Sequence, residues 1–145
     1  MDKIRQYVRE LIGRYHIADP FALCDRLGIT VVDQELPASV NGFTVRMKDM
    51  SFIVLNSALG YYERRFTVAH ELGHVLLHKG TNSLNLSTNT YFCVSRFERE
   101  ADSFAAWLLM EGEMSELSGL ESVTTEDISK IAHIPMSVAD KTFNA

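Results

Sequence analysis

The chain has few of the features that would place it outside ordinary one-domain proteins. Its 145 residues include two cysteines, Cys24 and Cys93, which lie far apart and form no CxxC pair. We therefore expect buried, reduced thiols rather than a disulfide framework or a cysteine zinc site. No run approaches the roughly 20 uncharged apolar residues that a bilayer span needs, and the charged N-terminal segment lacks the apolar core of a secretory signal. A soluble, cytoplasmic protein without a membrane partner is predicted.

Basic side chains are also too few for a non-specific nucleic-acid binder. Residues 1–110 carry 12 acidic and 12 basic side chains, whereas residues 111–145 carry 7 acidic and 2 basic ones. Because contacts from Lys and Arg to phosphate dominate nucleic-acid affinity, no direct nucleic-acid partner is expected. The chain has no repeat and no linker rich in Pro, Gly or Ser. We expect one domain over residues 1–110 and an acidic helical C-terminal extension over residues 111–145 that packs on it.

Helical and strand patterns follow each other in an order typical of an α+β fold. Apolar residues recur at helical spacing over residues 4–15, and Asp19 caps a short second helix that Gly28 ends. Three β-rich runs, ITVVDQ, GFTVRM and SFIVLN, predict a small antiparallel sheet whose last two strands form a hairpin. Further helices are predicted over residues 64–78, 97–110, 124–132 and 137–143, with a polar loop over residues 81–95.

The stretch FTVAHELGHVLLHKG, residues 66–80, has the pattern of a metal site. His70 and His74 lie about 6 Å apart along one helix face, so both imidazoles can reach one ion. Glu71 points about 100° away round the helix, where it can reach a water on that ion. The pattern predicts a peptidase in which Zn²⁺ lowers the pKa of its water towards about 7. As general base, Glu71 takes the proton and later delivers it to the leaving amine.

A catalytic zinc ion needs a third protein ligand. The HExxHxxGxxH arrangement is excluded, because Leu77 and Gly80 stand where its glycine and third histidine would be. His78 lies about 80° off the ligand face. We expect it at the helix end, near the negative end of the helix dipole, rather than on the metal.

The stretch FEREADSFAAWLLM, residues 97–110, supplies a better candidate. Glu98 and Asp102 are four residues apart and share a helix face, while neighbouring apolar residues would pack this helix beside the HExxH helix. We expect Glu98 to bind the metal and Asp102 to accept the second ring N–H of a ligand histidine. Glu100 points elsewhere and is predicted to be solvated. Taken alone, these acidic residues would suit the wet side of an amphipathic helix; the HExxH pattern favours the metal site.

Together with PFALCDRLGITVV and FIVLN, the two motifs RRFTVAHELGHVLLH and FEREADSFAAWLLM resemble the ImmA/IrrE family of zinc-dependent peptidases over about residues 1–110. The resemblance implies a zincin-like fold and a cytoplasmic metallopeptidase that cleaves a phage or mobile-element type repressor, or a stress-response repressor, and so releases transcription. The family's motif carries its zinc ligands onto His70, His74 and Glu98 and its catalytic glutamate onto Glu71. Asp102 stands where members usually have Asn or Asp.

Two departures and one alternative remain. Members commonly continue the LL segment with Met-Pro or Pro, whereas Met110 is followed here by Glu-Gly. We do not expect the sensor domain of the longer members. The tail over residues 127–143 resembles a short helix-turn-helix pair, but its second helix carries only one basic side chain, Lys141. Packing on the domain or binding a protein partner is therefore favoured over DNA recognition. The alternative is a non-catalytic module that binds a repressor or antitoxin-like partner through a structural or vestigial zinc site. An intact Glu71 favours the enzyme, because a structural site has no need of it.

Substrate contacts are harder to assign. The run MSFIVLN, residues 50–56, is expected to present a sheet edge to an extended peptide. Aromatic residues that could form a cleft wall are Tyr61, Tyr62, Tyr91, Phe92 and Trp107, although core packing is the commoner fate of such residues.

Overall fold

The computed structural model of the chain describes residues 2–79, 91–119 and 122–144. Helices and strands follow each other as the sequence predicts. In chain order they are α1 (Lys3–Tyr15), α2 (Pro20–Arg26), β1 (Thr30–Gln34), β2 (Gly42–Met47), β3 (Met50–Asn56), α3 (Tyr61–Leu77), α4 (Tyr91–Gly112), α5 (Met114–Leu117), α6 (Thr125–Ala132) and α7 (Met136–Phe143). None of the described helices is long and apolar enough to cross a membrane.

Capping residues set the starts of α2 and α6 where the sequence predicts them. The Asp19 carboxylate accepts a hydrogen bond from the Ala22 N–H at 2.9 Å and starts α2, and the chain leaves this helix through Gly28 at a φ of 75°. The Thr124 hydroxyl accepts from the Asp127 N–H and starts α6. Among the elements of the described residues, only α5 has no counterpart in the prediction. Local side-chain chemistry therefore explains these boundaries.

The sheet has the strand order β1-β3-β2, and it is mixed rather than antiparallel throughout. The predicted hairpin is confirmed, because β2 and β3 pair antiparallel, but β1 pairs parallel to β3. The amide Nδ2 of buried Asn56 lies 2.9 to 3.2 Å from the carbonyls of Leu36, Pro37 and Val40, and so holds the connection from β1 to β2. This connection carries the chain past the position of β3, so that β3 fills the place between the other two strands.

The central place of β3 overturns one prediction. Residues 50–56 were expected to offer an open edge, yet this strand pairs on both sides, and β2 and β1 form the edges of the sheet. The reason is apolar burial: Ile53 and Leu55 are fully buried, whereas β1 has no fully buried residue. The strand with the most apolar inward surface takes the position with two neighbours.

Helices α3 and α4 form the helical layer that carries the two sequence motifs. The N-terminus of α3 lies at Tyr61, three residues before the predicted start, and the Glu63 carboxylate there accepts from the Gly60 N–H at 3.3 Å. Helix α4 starts at residue 91, so residues 91–95 are helical rather than part of the predicted loop. The rest of that predicted loop, residues 81–90, lies outside the described residues.

A glycine lets the two helices come close. A Cβ atom added at Gly73 would lie 3.1 Å from Cδ1 of Phe104 and 3.2 Å from Cα of Ala101, which is tighter than ordinary side-chain contact. Because Gly73 has no side chain, the backbone of α4 can approach α3 at the level of the HExxH motif. This close approach brings the carboxylates of α4 within reach of the histidines of α3.

One hydrophobic core joins the sheet to the helices. Its largest fully buried side chains include Phe104, Leu23, Ile53, Leu55, Leu72 and Leu108. Helices α6 and α7 pack against α4, where the ring of Phe143 meets that of Trp107 edge-on at 4.8 Å between centroids. Trp107 is therefore largely buried as part of the core. Cys24 is buried and free, as predicted, whereas the side chain of Cys93 lies outside the described part.

Candidate metal centre

The two motifs meet at the carboxylate of Glu98. His70 Nε2 lies 3.1 Å from Glu98 Oε2, and His74 Nε2 lies 2.8 Å from Glu98 Oε1. The two imidazoles stand nearly perpendicular, with ring centroids 4.9 Å apart. Within the described residues, His70, Glu71 and His74 form a group whose potential ligand atoms all lie within 4.8 Å of one another. The helix period thus stacks the two rings, and α4 brings the third donor to them.

This donor set fits a catalytic zinc ion. Two imidazole nitrogens and one carboxylate oxygen are a ligand combination that zinc hydrolases use, and it leaves a fourth position for water or substrate. The closed alternatives, in which four protein side chains surround the ion, usually draw on cysteines. The described cysteine, Cys24, lies in the hydrophobic core away from this group. The residues present can therefore hold a metal ion with an open position.

Charge in the centre favours a cation. Burial opposes the protonated form of His70, but its hydrogen bonds to Asp102 and Glu98 and the charge of Glu71 outweigh burial and raise its pKa to about 10. Burial alone would raise the pKa of Glu98, but its contacts with His70 and His74 hold it well below the usual value of a glutamate. The same carboxylates that attract a proton to the rings attract a metal cation to the point between them.

Glu71 is held by a residue that sequence reasoning missed. The hydroxyl of Thr44, on β2, donates to Glu71 Oε1 at 2.7 Å, and both side chains are buried. The other carboxylate oxygen, Oε2, lies 3.9 Å from His70 Nε2. One oxygen of Glu71 is therefore fixed by the sheet while the other faces the ligand histidines. A buried polar residue in a strand was the available signal, but its partner could not be read from the sequence.

Asp102 lies where the helical spacing predicts it. Its Oδ1 is 2.7 Å from His70 Nδ1, the ring nitrogen that faces away from Glu98. The five predicted site residues, which are His70, Glu71, His74, Glu98 and Asp102, are thus brought together on α3 and α4. Their roles as ligands, base and supporting carboxylate stay predictions.

His78 lies at the predicted end of α3, and Glu100 has a partner that was not predicted. His78 is the C-cap of α3, as expected at the helix end, and it is buried. Its Nδ1 lies 2.9 Å from His74 Nδ1, and its Nε2 lies 3.0 Å from Glu100 Oε1. The Glu100 side chain is 39% exposed, so it is partly solvated as predicted, but its pairing with a buried ring was not predicted. Burial lowers the pKa of His78, against the opposing effect of Glu100.

The aromatic cleft candidates separate into two groups. Tyr61 and Tyr62 are exposed at the start of α3, and the ring of Tyr62 stacks on His133 with 3.4 Å between centroids. Tyr62 and His133 line a groove beside the N-terminal half of α3, together with Phe66, Ile134 and Pro135. The side chains of residues 91 and 92 lie outside the described part of the chain.

Comparisons with known proteins agree with this geometry. Residues 24–144 match the family described as IrrE N-terminal-like domain, peptidase family M78. The chain is 34% identical over 137 residues to "Uncharacterized immunity region protein 2" of Bacillus phage phi105, covering 94% of this chain and 86% of that protein. It is also 26% identical over 141 residues to "Metallopeptidase ImmA" of Bacillus subtilis (strain 168), covering 94% and 82%. The α+β chain with its HExxH helix belongs to the ImmA/IrrE family of metallopeptidases.

Proposed function

We propose that the protein is a zinc-dependent endopeptidase that cleaves a DNA-binding repressor of phage or mobile-element type and so derepresses transcription. One observation carries the enzymatic part. Glu71 is buried, anchored at Oε1 by Thr44, and directs Oε2 towards the histidines that meet Glu98. A site that only stabilised the fold would need the three donors but not a fourth, separately held carboxylate.

Each residue then has a distinct task. His70, His74 and Glu98 hold the zinc ion, and Asp102 accepts the Nδ1–H of His70, which keeps the Nε2 lone pair of that ring free. When bound, zinc supplies the Lewis acidity that lowers the pKa of a water towards about 7. Glu71 accepts at Oε2 a proton from the water whose oxygen bonds to the peptide carbonyl carbon, and it returns that proton to the amine that leaves as the C–N bond breaks. Thr44 keeps the other oxygen of that carboxylate in place.

The repressor as substrate is supported by the names of two relatives. One relative is described as a phage immunity region protein and the other as the metallopeptidase ImmA. The resemblance to the family implies a repressor as substrate, and the name of the phage relative is consistent with it. We place the reaction in the cytoplasm, where such a repressor binds DNA, and we expect no direct contact of the peptidase with nucleic acid.

The strand that would receive the substrate is β2 and not β3. Since β3 is paired on both sides, the sheet edge beside the metal centre belongs to β2, which also carries Thr44. An extended peptide pairing with this edge would pass over Glu71. The groove of Tyr62, Phe66 and His133 lies next to it, with the Phe66 ring 6.3 Å from that of His70. It is our candidate seat for an apolar side chain of the repressor.

The tail is proposed to work with the peptidase domain as one unit. We assign residues 1–110 to the metallopeptidase domain and residues 111–145 to an acidic helical extension packed on it. Support comes from the contacts of α6 and α7 with α4 and from the stacking of His133 on Tyr62. The family match also runs through both parts, from residue 24 to residue 144.

A metal and cleavage assay tests the proposal. Purified wild type, Glu71→Gln and Glu98→Ala are analysed for zinc and incubated with the repressor encoded nearest to the gene. We expect about one zinc per wild-type chain, cleavage by wild type only, zinc without cleavage in Glu71→Gln, and neither in Glu98→Ala. Glu126→Gln, on the exposed face of α6, is the matched control and should behave as wild type. Zinc-loaded wild type that holds the repressor without cutting it would favour the binding module instead.

A further inference from the structure

We propose that His78 and Glu100 are positioning residues that fix the ring orientation and the tautomer of His74, so that its Nε2 presents a lone pair to the metal. The inference rests on the proposed zinc site and deepens it. It concerns the ring nitrogen of His74 that faces away from Glu98, for which Asp102 is not the partner.

Backbone and side chain both tie His78 to His74. The His78 N–H donates to the His74 carbonyl at 3.0 Å, and the two Nδ1 atoms lie 2.9 Å apart. His78 is held from the other side by Glu100, 3.0 Å from its Nε2, and by the ring of Phe97, 4.3 Å between centroids. Both imidazoles are buried, so bulk water does not compete for their ring nitrogens.

Hydrogen-bond directions then allow one arrangement of protons. A neutral imidazole has one N–H donor and one lone-pair acceptor. If His74 Nε2 binds a metal, its hydrogen must be on Nδ1, which donates to the Nδ1 of His78. His78 must therefore accept at Nδ1 and carry its own hydrogen on Nε2, where it donates to the carboxylate of Glu100. All three contacts are satisfied.

The opposite arrangement is disfavoured by Glu100. If His74 carried its hydrogen on Nε2, its Nδ1 would accept from His78, and the lone pair of His78 Nε2 would then face the Glu100 carboxylate. Two acceptors 3.0 Å apart repel each other. Glu98 Oε1, 2.8 Å from His74 Nε2, by itself favours a hydrogen on that nitrogen. Glu100 acts against this through His78 and so favours the tautomer of His74 that can bind a metal.

If His78 had only a structural role, a different result would be expected. A buried histidine that only fills space and satisfies its own polar atoms could do so in either tautomer, and its loss would lower stability without changing the state of His74. The experiment must therefore read the tautomer and the metal affinity, not only folding or cleavage.

The first readout is nitrogen NMR of the ¹⁵N-labelled, zinc-loaded protein. Long-range ¹H–¹⁵N spectra separate the two neutral tautomers and the doubly protonated ring. We expect His78 with its hydrogen on Nε2 and His74 with its hydrogen on Nδ1. A His78 ring that carries its hydrogen on Nδ1, or on both nitrogens, would overturn the inference.

The second readout is the dissociation constant of zinc, measured by competition with a chromophoric chelator. His78→Phe keeps an aromatic ring beside Phe97 but removes both nitrogens, and Glu100→Leu removes the acceptor; each should weaken zinc binding about 10- to 100-fold. Glu100→Gln can still accept through its amide oxygen and should restore most of the affinity lost in Glu100→Leu. Should His78→Phe fail to fold, the two Glu100 variants and the NMR spectrum carry the test.

The outcomes separate this inference from the proposed function. If wild type binds no zinc, the metal centre itself is wrong and the inference fails with it. If wild type binds zinc tightly and His78→Phe and Glu100→Leu bind it within about twofold of wild type, the metal centre stands and the positioning role is wrong.

Discussion

The two histidines of the metal centre are supported from behind in different ways. His70 meets a carboxylate directly, with Asp102 Oδ1 2.7 Å from its Nδ1. His74 meets a second histidine, and only beyond that ring does a carboxylate follow, that of Glu100. The side chain of His70 is 13% exposed and that of His74 only 3%.

This difference shows how burial shapes a metal site. At the shallower end, a charged aspartate next to the ring is tolerated, and it helps to raise the pKa of His70 to about 10. At the deeper end, a carboxylate beside Nδ1 of His74, on the side away from Glu98, would have to be desolvated at a large cost. His78 lies beside that nitrogen instead. Glu100, whose side chain is half-exposed, acts on His74 through the ring of His78.

Removing the group that both ends share should have the largest effect. Glu98 contacts both rings, so Glu98→Ala should weaken zinc binding by more than the roughly 100-fold seen for supporting residues. Competition titration with a chelator measures the dissociation constant. Glu126→Ala is a matched exposed control and should bind as wild type. Tight zinc binding by Glu98→Ala would mean that the two ends do not share this ligand.

Asp102 tests the shallow end by itself. Asp102→Leu removes the acceptor for His70 Nδ1 and should weaken zinc binding about 10- to 100-fold. Asp102→Asn keeps an acceptor oxygen and should lose only a small part of that affinity. Comparing its zinc affinity with that of His78→Phe shows whether a carboxylate in direct contact with a ligand histidine contributes more than one that acts through a second histidine. Equal affinity of Asp102→Leu and wild type would show that His70 needs no carboxylate behind it.

Thr44 lies at neither end of the metal centre, so its replacement tests the contact with Glu71 separately from the support of the two histidines. Thr44→Val removes the hydroxyl that donates to Glu71. A hydrogen bond to a charged group is worth about 1.5–3 kcal/mol, so the cleavage rate should fall roughly tenfold or more. The zinc dissociation constant should not change. Thr67→Val, also buried but on α3, is the control for loss of a threonine hydroxyl. A parallel loss of zinc in Thr44→Val would assign Thr44 to the metal set instead.

Gly73 sets the distance between the helices that carry both ends, and its replacement should have the smallest effect. In Gly73→Ala the new methyl group meets Phe104 and the backbone of α4, which costs about 1–3 kcal/mol. Better helix propensity returns about 1 kcal/mol. Urea unfolding, measured after a chelator has removed the zinc, should show a net loss in the free energy of unfolding. Zinc should also bind severalfold more weakly. A more stable variant with unchanged affinity would show that the helices need not lie so close.

Local patterns predicted most of the residues at the centre. Helical spacing places His70 and His74 on one face of α3, and Glu98 and Asp102 on one face of α4. Caps such as Asp19 mark where helices start. These rules act within a few residues of the chain. They therefore hold before the tertiary structure is known.

Features that depend on distant contacts were not predictable in the same way. The central position of β3 depends on a connection that Asn56 holds through three carbonyls. The partners of Thr44 and Glu100 depend on how β2 and α4 pack on α3. Sequence spacing alone presented Glu100 as a solvated side chain, because nothing nearby in the chain announces His78 as its partner.

The most direct test of the account is a crystal structure of the zinc-loaded protein with anomalous data collected at the zinc absorption edge. We predict one strong anomalous peak about 2.0–2.2 Å from Nε2 of His70, Nε2 of His74 and one carboxylate oxygen of Glu98. A peak on the ring of His78, or no peak between α3 and α4, would contradict it.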